Sequence, residues 1–208
     1  LGGGGSGGLR IEALSGDALA QRIPALGRVR SAVFRAWPYL YDGDAEREAA
    51  YLRTYVQSRR AAVFVAWDGD APVGMSTCLP LADETPNVAA PFVERGISPE
   101  RVFYFGESVL LPEYRGRGVG VQFFHAREAR ARDVSDCDFT AFCAVQRPLD
   151  HPARPPDAEP LDAFWRRRGY TQRPDLVCTM RWRDVGDAEE SDHRLTFWLR
   201  SLTGAPLP

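Results

Sequence analysis

Lysine is missing altogether: the 26 basic residues of this 208-residue chain are all arginine, set against 28 Asp and Glu for a net charge of −2. A P-loop needs a lysine after its last glycine to reach phosphate, so that nucleotide site is excluded. Near-neutral, mixed charge leaves no footprint for nucleic acid or an anionic membrane surface, and neither partner is expected. Histidine is scarce, and Cys78, Cys137, Cys143 and Cys178 are scattered without a C-x-x-C pair. No zinc site or disulfide framework is expected from them, and reduced thiols suit a cytoplasmic protein. No apolar run approaches the ~20 residues of a membrane span. A basic-then-apolar signal segment and internal repeats are also lacking. Residues 1–8, L-G-G-G-G-S-G-G, read as a flexible linker or an expression remnant. Residues 9–208 remain as one domain, long enough to bury a sizeable core.

What is present centres on residues 101–133, R-V-F-Y-F-G-E-S-V-L-L-P-E-Y-R-G-R-G-V-G-V-Q-F-F-H-A-R-E-A-R-A-R-D. Val102 to Phe105 and Val109 to Leu111 make a β-branched and aromatic run, the pattern of a buried strand. Pro112 and the series Gly116, Gly118, Gly120 end it. Val121, Phe124 and Glu128 then fall at helical spacing, with arginines crowding the last turns, where cations suit the helix dipole. A glycine-arginine loop between strand and helix aims backbone N–H groups and a positive helix end at one point, which suits a bound phosphate. A dinucleotide fingerprint starting at Gly116 would need glycine where Val121 stands.

Elsewhere, residues 9–14 predict a first strand and 18–36 a helix carrying Leu19, Ile23, Leu26, Val29, Val33 and Phe34, disturbed early by Pro24. The segment 37–44 is an aromatic and acidic loop, and 45–57 a second helix. Strands over 61–67 and 72–79 flank an Asp-Gly-Asp turn. Residues 80–100 read as a loop with one turn of helix near Val93, and 139–145 as a strand. A proline-heavy stretch follows at 147–160, then a short helix over 161–168 ended by Gly169. Strands over 176–183 and 195–202 close the chain as a hairpin. The fold class is therefore α/β, one central mixed sheet of about seven strands flanked by about four helices.

Arg115-x-x-Gly118-x-Gly120, inside L-L-P-E-Y-R-G-R-G-V-G, resembles the R/Q-x-x-G-x-G/A signature of the GNAT superfamily of acyl-CoA-dependent N-acyltransferases. The element order over residues 9–202 is similar to theirs, and F-W-R-R-R-G-Y at 164–170 looks like the family's second motif. The resemblance implies a single GNAT domain with acetyl-CoA as co-substrate. In this family the strand before the glycine loop carries a bulge and splays from its neighbour, and the pantetheine arm bonds the exposed strand backbone. Mapped here, that backbone belongs to Ser108, Val109 and Leu110. The pyrophosphate would rest on the N–H groups of Gly116, Arg117, Gly118, Val119, Gly120 and Val121, with charge from Arg115 or Arg117. A C-terminal hairpin often joins subunits in this family, so a homodimer is a candidate state.

The implied reaction is acetyl transfer to a primary amine of a small molecule or peptide. Such an amine has a pKa of ~10.4 and needs a base. Glu107, beside Gly106 where a bulge can re-aim it, is the first candidate, and His151 the second. The plain alternative for Glu107 is a strand-end glutamate satisfied by an arginine. Tyr39, Tyr41, Asp42 and Asp44 are expected to rim the acceptor site, an acidic and aromatic surface suited to a cationic amine. Family members often carry a tyrosine acid four residues before the motif glycine, and here Trp165 stands there, with no proton to give. This departure keeps open an alternative, a non-catalytic acyl-CoA-binding sensor.

Overall fold

The computed structural model describes residues 8–208, so the expected linker lies outside the described residues but for Gly8. Seven strands form one sheet: β1 (Arg10–Leu14), β2 (Ala62–Asp68), β3 (Ala71–Pro80), β4 (Val102–Leu110), β5 (Phe139–Val145), β6 (Thr171–Trp182) and β7 (Ser191–Ser201), in the order β1-β2-β3-β4-β5-β7-β6. All neighbours are antiparallel except β4 and β5, which run parallel. The helices are α1 (Gly16–Ala20), α2 (Ile23–Phe34), α3 (Ala45–Gln57), α4 (Pro86–Glu94), α5 (Val119–Val134) and α6 (Asp162–Arg167). Among the described residues, no helix is long and apolar enough to cross a membrane.

Strand alternation divides the core between the two faces of the sheet. Val63, Val65, Val102 and Tyr104 join Leu26, Leu52 and Tyr55 of α2 and α3. Ala62, Phe103 and Phe105 join Phe124 and Ala131 of α5 on the other side.

Three elements differ from expectation for local reasons. The helix expected over 18–36 is two helices, because Pro24 falls in the first turn of α2, where no N–H bond is lost. The segment 80–100 holds a nine-residue helix, α4, with Pro86 opening it and Val88, Pro91 and Phe92 buried at helical spacing. With α1 split off and α4 added, six helices replace the four expected. Strand β6 begins at Thr171, ahead of the expected 176, and tolerates Pro174 because it is the sheet's edge strand and bulges between Arg173 and Val177.

Two irregularities of β4 position the site. Its pairing with β5 lasts three rungs, Val102↔Phe139 to Tyr104↔Ala141, after which the strands part toward their C-terminal ends. Against β3, Cys78 faces Phe105 and Ser76 faces Ser108, so Gly106 and Glu107 together oppose Thr77 in a bulge. Strict alternation would turn Glu107 toward α5 with Phe103 and Phe105. The extra residue sends it to the α2–α3 face instead. Gly106 is required there, since a Cβ would lie 1.9 Å from the Tyr55 hydroxyl and 2.8 Å from that of Tyr51. Replacing Gly106 with Ala should overpack this point and lower stability by roughly 1–3 kcal/mol. Urea unfolding would read this as a lower midpoint; an unchanged midpoint would show that the two hydroxyls swing aside freely.

Candidate active site

The glycine loop leaves β4 at the mouth of the gap between β4 and β5. Gly116 and Gly118 hold φ of +74° and +78°, a left-handed backbone that side chains disfavour, and Gly118 caps α5. The N–H groups of Gly116, Arg117, Gly118, Val119 and Gly120 find no acceptor among the described residues, as a helix N-terminus requires. Val121, expected to join them, instead donates its N–H to Gly118. The arginines fold back on their own loop, Arg115 Nε to Leu110 O at 3.2 Å and Arg117 Nη2 to Glu113 O at 3.0 Å. This is a nest of free donors at the positive end of a helix, suited to a phosphate.

The strand edge beside it can be assigned by alternation. Leu111 N–H donates to Val73 O, and Met75 lies opposite Val109, so the polar backbone of Val109 and Leu111 is turned to β3. Ser108 and Leu110 then aim their backbone groups into the gap, where β5 no longer pairs. Of the three residues expected to offer backbone there, Val109 is therefore committed to the sheet. An unpaired edge of this kind is a template for an extended, amide-bearing ligand.

On the α2–α3 face the bulge delivers Glu107 into a buried charge cluster. Arg30 Nε lies 2.9 and 2.8 Å from the two carboxylate oxygens of Glu107, and Arg30 Nη1 lies 2.7 Å from Glu48 Oε2. The guanidinium sits 4.1 Å from the Tyr51 ring centroid, 5.0 Å from Phe34 and 5.2 Å from Tyr41, a cage of cation–π contacts. Thr77 Oγ1 accepts from Glu107 N–H at 3.0 Å and lies 3.1 Å from the Tyr51 hydroxyl, itself 2.9 Å from that of Tyr55. The Glu107 side chain is 5% exposed. Burial pushes its carboxyl up to about 7, and Arg30 keeps it from rising further. Glu107 is thus satisfied by an arginine, the plain alternative, while burial raises the pH at which it ionises.

The loop expected to rim an acceptor site is tied down from below. Arg147 donates to Pro38 O at 2.8 Å and Tyr39 O at 2.7 Å while gripping the Asp184 carboxylate at 2.7 and 2.8 Å. The Tyr39 ring packs between Phe34 and Trp182, and burial raises its hydroxyl well above the ordinary phenol value. Tyr41, pushed up to about 12 by burial, lies over Arg30 and next to Glu48. The two aspartates are engaged otherwise. Asp42 pairs with Arg35 at 2.8 Å and Arg183 at 2.7 Å, and its carboxyl is held below the usual range first by the Arg35 bond. Asp44 caps α3, accepting from Arg47 N–H at 2.9 Å. His151 accepts from Ala153 N–H at 3.1 Å and lies 5.3 Å from the Trp37 ring, contacts with its own loop and with 37–44 rather than with Glu107.

On the opposite face, Trp165 packs edge-on to Phe142 and Trp198, each 5.1 Å away, and Phe164 against Phe124. The sequence reading missed Arg30, Glu48 and Arg147. A signal existed for the first two, since Arg30 stands four residues from both Leu26 and Phe34, and Glu48 four before Leu52, each on its helix's buried stripe.

Residues 28–170 match the sequence model of the Acetyltransferase (GNAT) family. No curated protein sequence matches the chain. Among solved structures, an N-acetyltransferase from Staphylococcus aureus Mu50 superposes with a TM-score of 0.59 at 12% identity, over 94% of this chain and 99% of that one. The Salmonella typhimurium protein yncA, solved with its cofactor acetyl-CoA, gives 0.57 at 12% identity, over 97% and 98%. Ribosomal-protein-alanine N-acetyltransferase from Brucella melitensis gives 0.59 at 14% identity, over 92% and 99%. At these identities the likeness establishes the fold.

Carbon-13 titration of the Glu107 side-chain carboxyl should give a midpoint of about 7, against ~4.3 for a free glutamate. A midpoint in the ordinary range would mean that the Arg30 charge outweighs the loss of solvent.

Proposed function

Because the chain belongs to the GNAT acetyltransferase family, we propose that it transfers an acetyl group from acetyl-CoA to a primary amine, on a small molecule or a peptide, with both substrates bound together. One observation carries the reading. The three-rung contact of β4 with β5 opens a gap bordered by strand backbone that β5 does not pair, with the glycine loop at its mouth and a buried carboxylate at the bulge. The residues fit the coenzyme. Ser108 and Leu110 offer backbone to its amide-bearing arm, and the N–H groups of residues 116–120 offer donors to its pyrophosphate. When bound, acetyl-CoA supplies the acetyl thioester that the amine attacks.

Glu107 is the base of this reading. An acceptor amine with a pKa of ~10.4 arrives protonated, and a carboxylate titrating near neutrality can take its proton directly or through one water. The carboxyl ionises as pH rises through about 7, so turnover should climb over that range. Leaving-group protonation is a smaller demand, since an ordinary thiol has a pKa of ~8.5 and can depart as thiolate. Trp165 in the usual tyrosine position therefore does not forbid catalysis. On the acceptor side Tyr41 packs over Arg30, which in turn bonds this carboxylate. Tyr39, Asp42 and Asp44 share the acceptor-side loop, which His151 meets at Trp37.

The competing reading, a non-catalytic acyl-CoA-binding protein, draws on Trp165 and on the hold of Arg30 over Glu107. Thiol release from acetyl-CoA across a panel of alkyl and aryl amines and lysine peptides separates the two; tight binding without amine-dependent release would favour the sensor.

Gly118 gives the test of the coenzyme site. A Cβ there meets nothing within 4 Å, so Gly118→Val should fold at the cost of local backbone strain at φ +78°, roughly 1–3 kcal/mol. Its acetyl-CoA affinity, read by calorimetry, should fall by about tenfold or more, ~1.4 kcal/mol. Unchanged affinity in the folded variant would remove Gly118 from the coenzyme site. For the base, Glu107→Gln should cut kcat by roughly 10²–10⁴ with acetyl-CoA binding kept, and should flatten the acid limb of the pH–rate profile. Near-normal turnover with that limb intact would eliminate Glu107.

A further inference from the structure

Among the described residues, Arg30 is the one cation paired with the two buried carboxylates Glu48 and Glu107. Its side chain is 14% exposed, against 3% for Glu48 and 5% for Glu107. Nε spans both oxygens of Glu107, while Nη1 is anchored on Glu48 Oε2. Among the described residues, Arg30 is the one ion-pair partner of Glu48, whose other oxygen, Oε1, is buried. Phe34, Tyr41 and Tyr51 enclose the guanidinium, leaving it little freedom to turn. A surface ion pair has none of these constraints.

We propose that Arg30 positions Glu107 for proton transfer: braced on Glu48 and its aromatic cage, its Nε–H fixes the carboxylate's orientation and balances its charge at the bulge. The proposal rests on the reading of Glu107 as base and assigns Arg30 no contact with substrate. Each carboxylate oxygen keeps a lone pair beyond the one that faces Nε, so the group can still accept the proton of an incoming ammonium.

The groups facing Glu107 make the direction of each change definite. From α2 comes the Arg30 charge, and from α3 the Glu48 charge and the Tyr51 and Tyr55 hydroxyls. The 37–44 loop adds Tyr39 and Tyr41, and from α5 Arg127 Nη1 reaches the Glu107 main-chain oxygen at 3.2 Å. Arg30 favours the carboxylate, and Glu48, a like charge, opposes it. Loss of the arginine therefore raises the pH at which the base forms, and neutralising Glu48 lowers it.

Arg30→Met and Glu48→Gln test this together, each read by carbon-13 titration of Glu107 and by the pH–rate profile with the most active amine of the panel. In Arg30→Met the midpoint and the acid limb should move up by roughly 1–3 units, with kcat reduced and KM for acetyl-CoA unchanged. In Glu48→Gln both should move down, and this milder variant stands if the first does not fold. Arg30→Lys should bring the midpoint back toward the wild-type value without restoring kcat, because an ammonium lacks the planar fork. Midpoint and limb at their wild-type positions in folded variants, with the limb lost in Glu107→Gln, would overturn the role of Arg30 and leave Glu107 as base. A limb intact in Glu107→Gln would overturn the base reading, and this proposal with it.

Discussion

One extra residue in β4 governs the site. Because Gly106 and Glu107 share the single partner Thr77, the strand changes which face its side chains address. Phe105, just before the bulge, packs on α5, whereas Glu107, two residues later, meets Arg30 of α2. The same stretch of strand is where β4 and β5 part, and there the backbone of Ser108 and the N–H of Leu110 face the gap, the Leu110 carbonyl being taken by Arg115. An open gap in the sheet and a buried carboxylate are thereby brought to adjoining sides of one strand. A glycine makes this compatible with a packed core, by leaving room for two tyrosine hydroxyls where a methyl group would collide.

The charge cluster on that face is unusual in what it asks of the fold. Burying ions is unfavourable unless each is matched, and removing one partner of a buried pair typically costs ~3–5 kcal/mol. Arg30, Glu48 and Glu107 come from α2, α3 and β4, so the cluster also fixes how two helices seat on the sheet. A chain selected for stability alone could fill this space with apolar side chains at no loss. The charges sit at a bulge next to an open strand edge, and burial there pushes the Glu107 carboxyl up. The neighbouring loop is held with similar firmness, by Arg147 on two of its carbonyls and by Asp184 on Arg147.

The glycine-arginine loop, the strand before it and the helix after it could be read directly, because each rests on local rules: β-branched alternation, glycine where φ is positive, and apolar spacing along a helix. Departures came where context overrides local preference. Prolines suggested a loop over 80–100, yet Pro86 sits at a helix start, where its missing N–H is harmless, and α4 buries Val88 and Phe92. Asp44, expected on an acidic rim, also caps α3, a role open to any acid just before a helix. Val109 seemed as available as its neighbours until its register with Met75 committed it to β3.

The sequence by itself determined the α/β class, the order of the strands along the chain, the phosphate-suited loop and the presence of a glutamate next to a glycine in the central strand. Those follow from covalent neighbours and short periodicities. Tertiary structure alone decided which face Glu107 occupies and that Arg30, 77 residues away, meets it. It also decided that burial lifts the carboxyl to about 7. Desolvation and ion pairing act through space over a few ångströms, and the residues that supply them are set by how helices pack across a sheet, which no local pattern encodes.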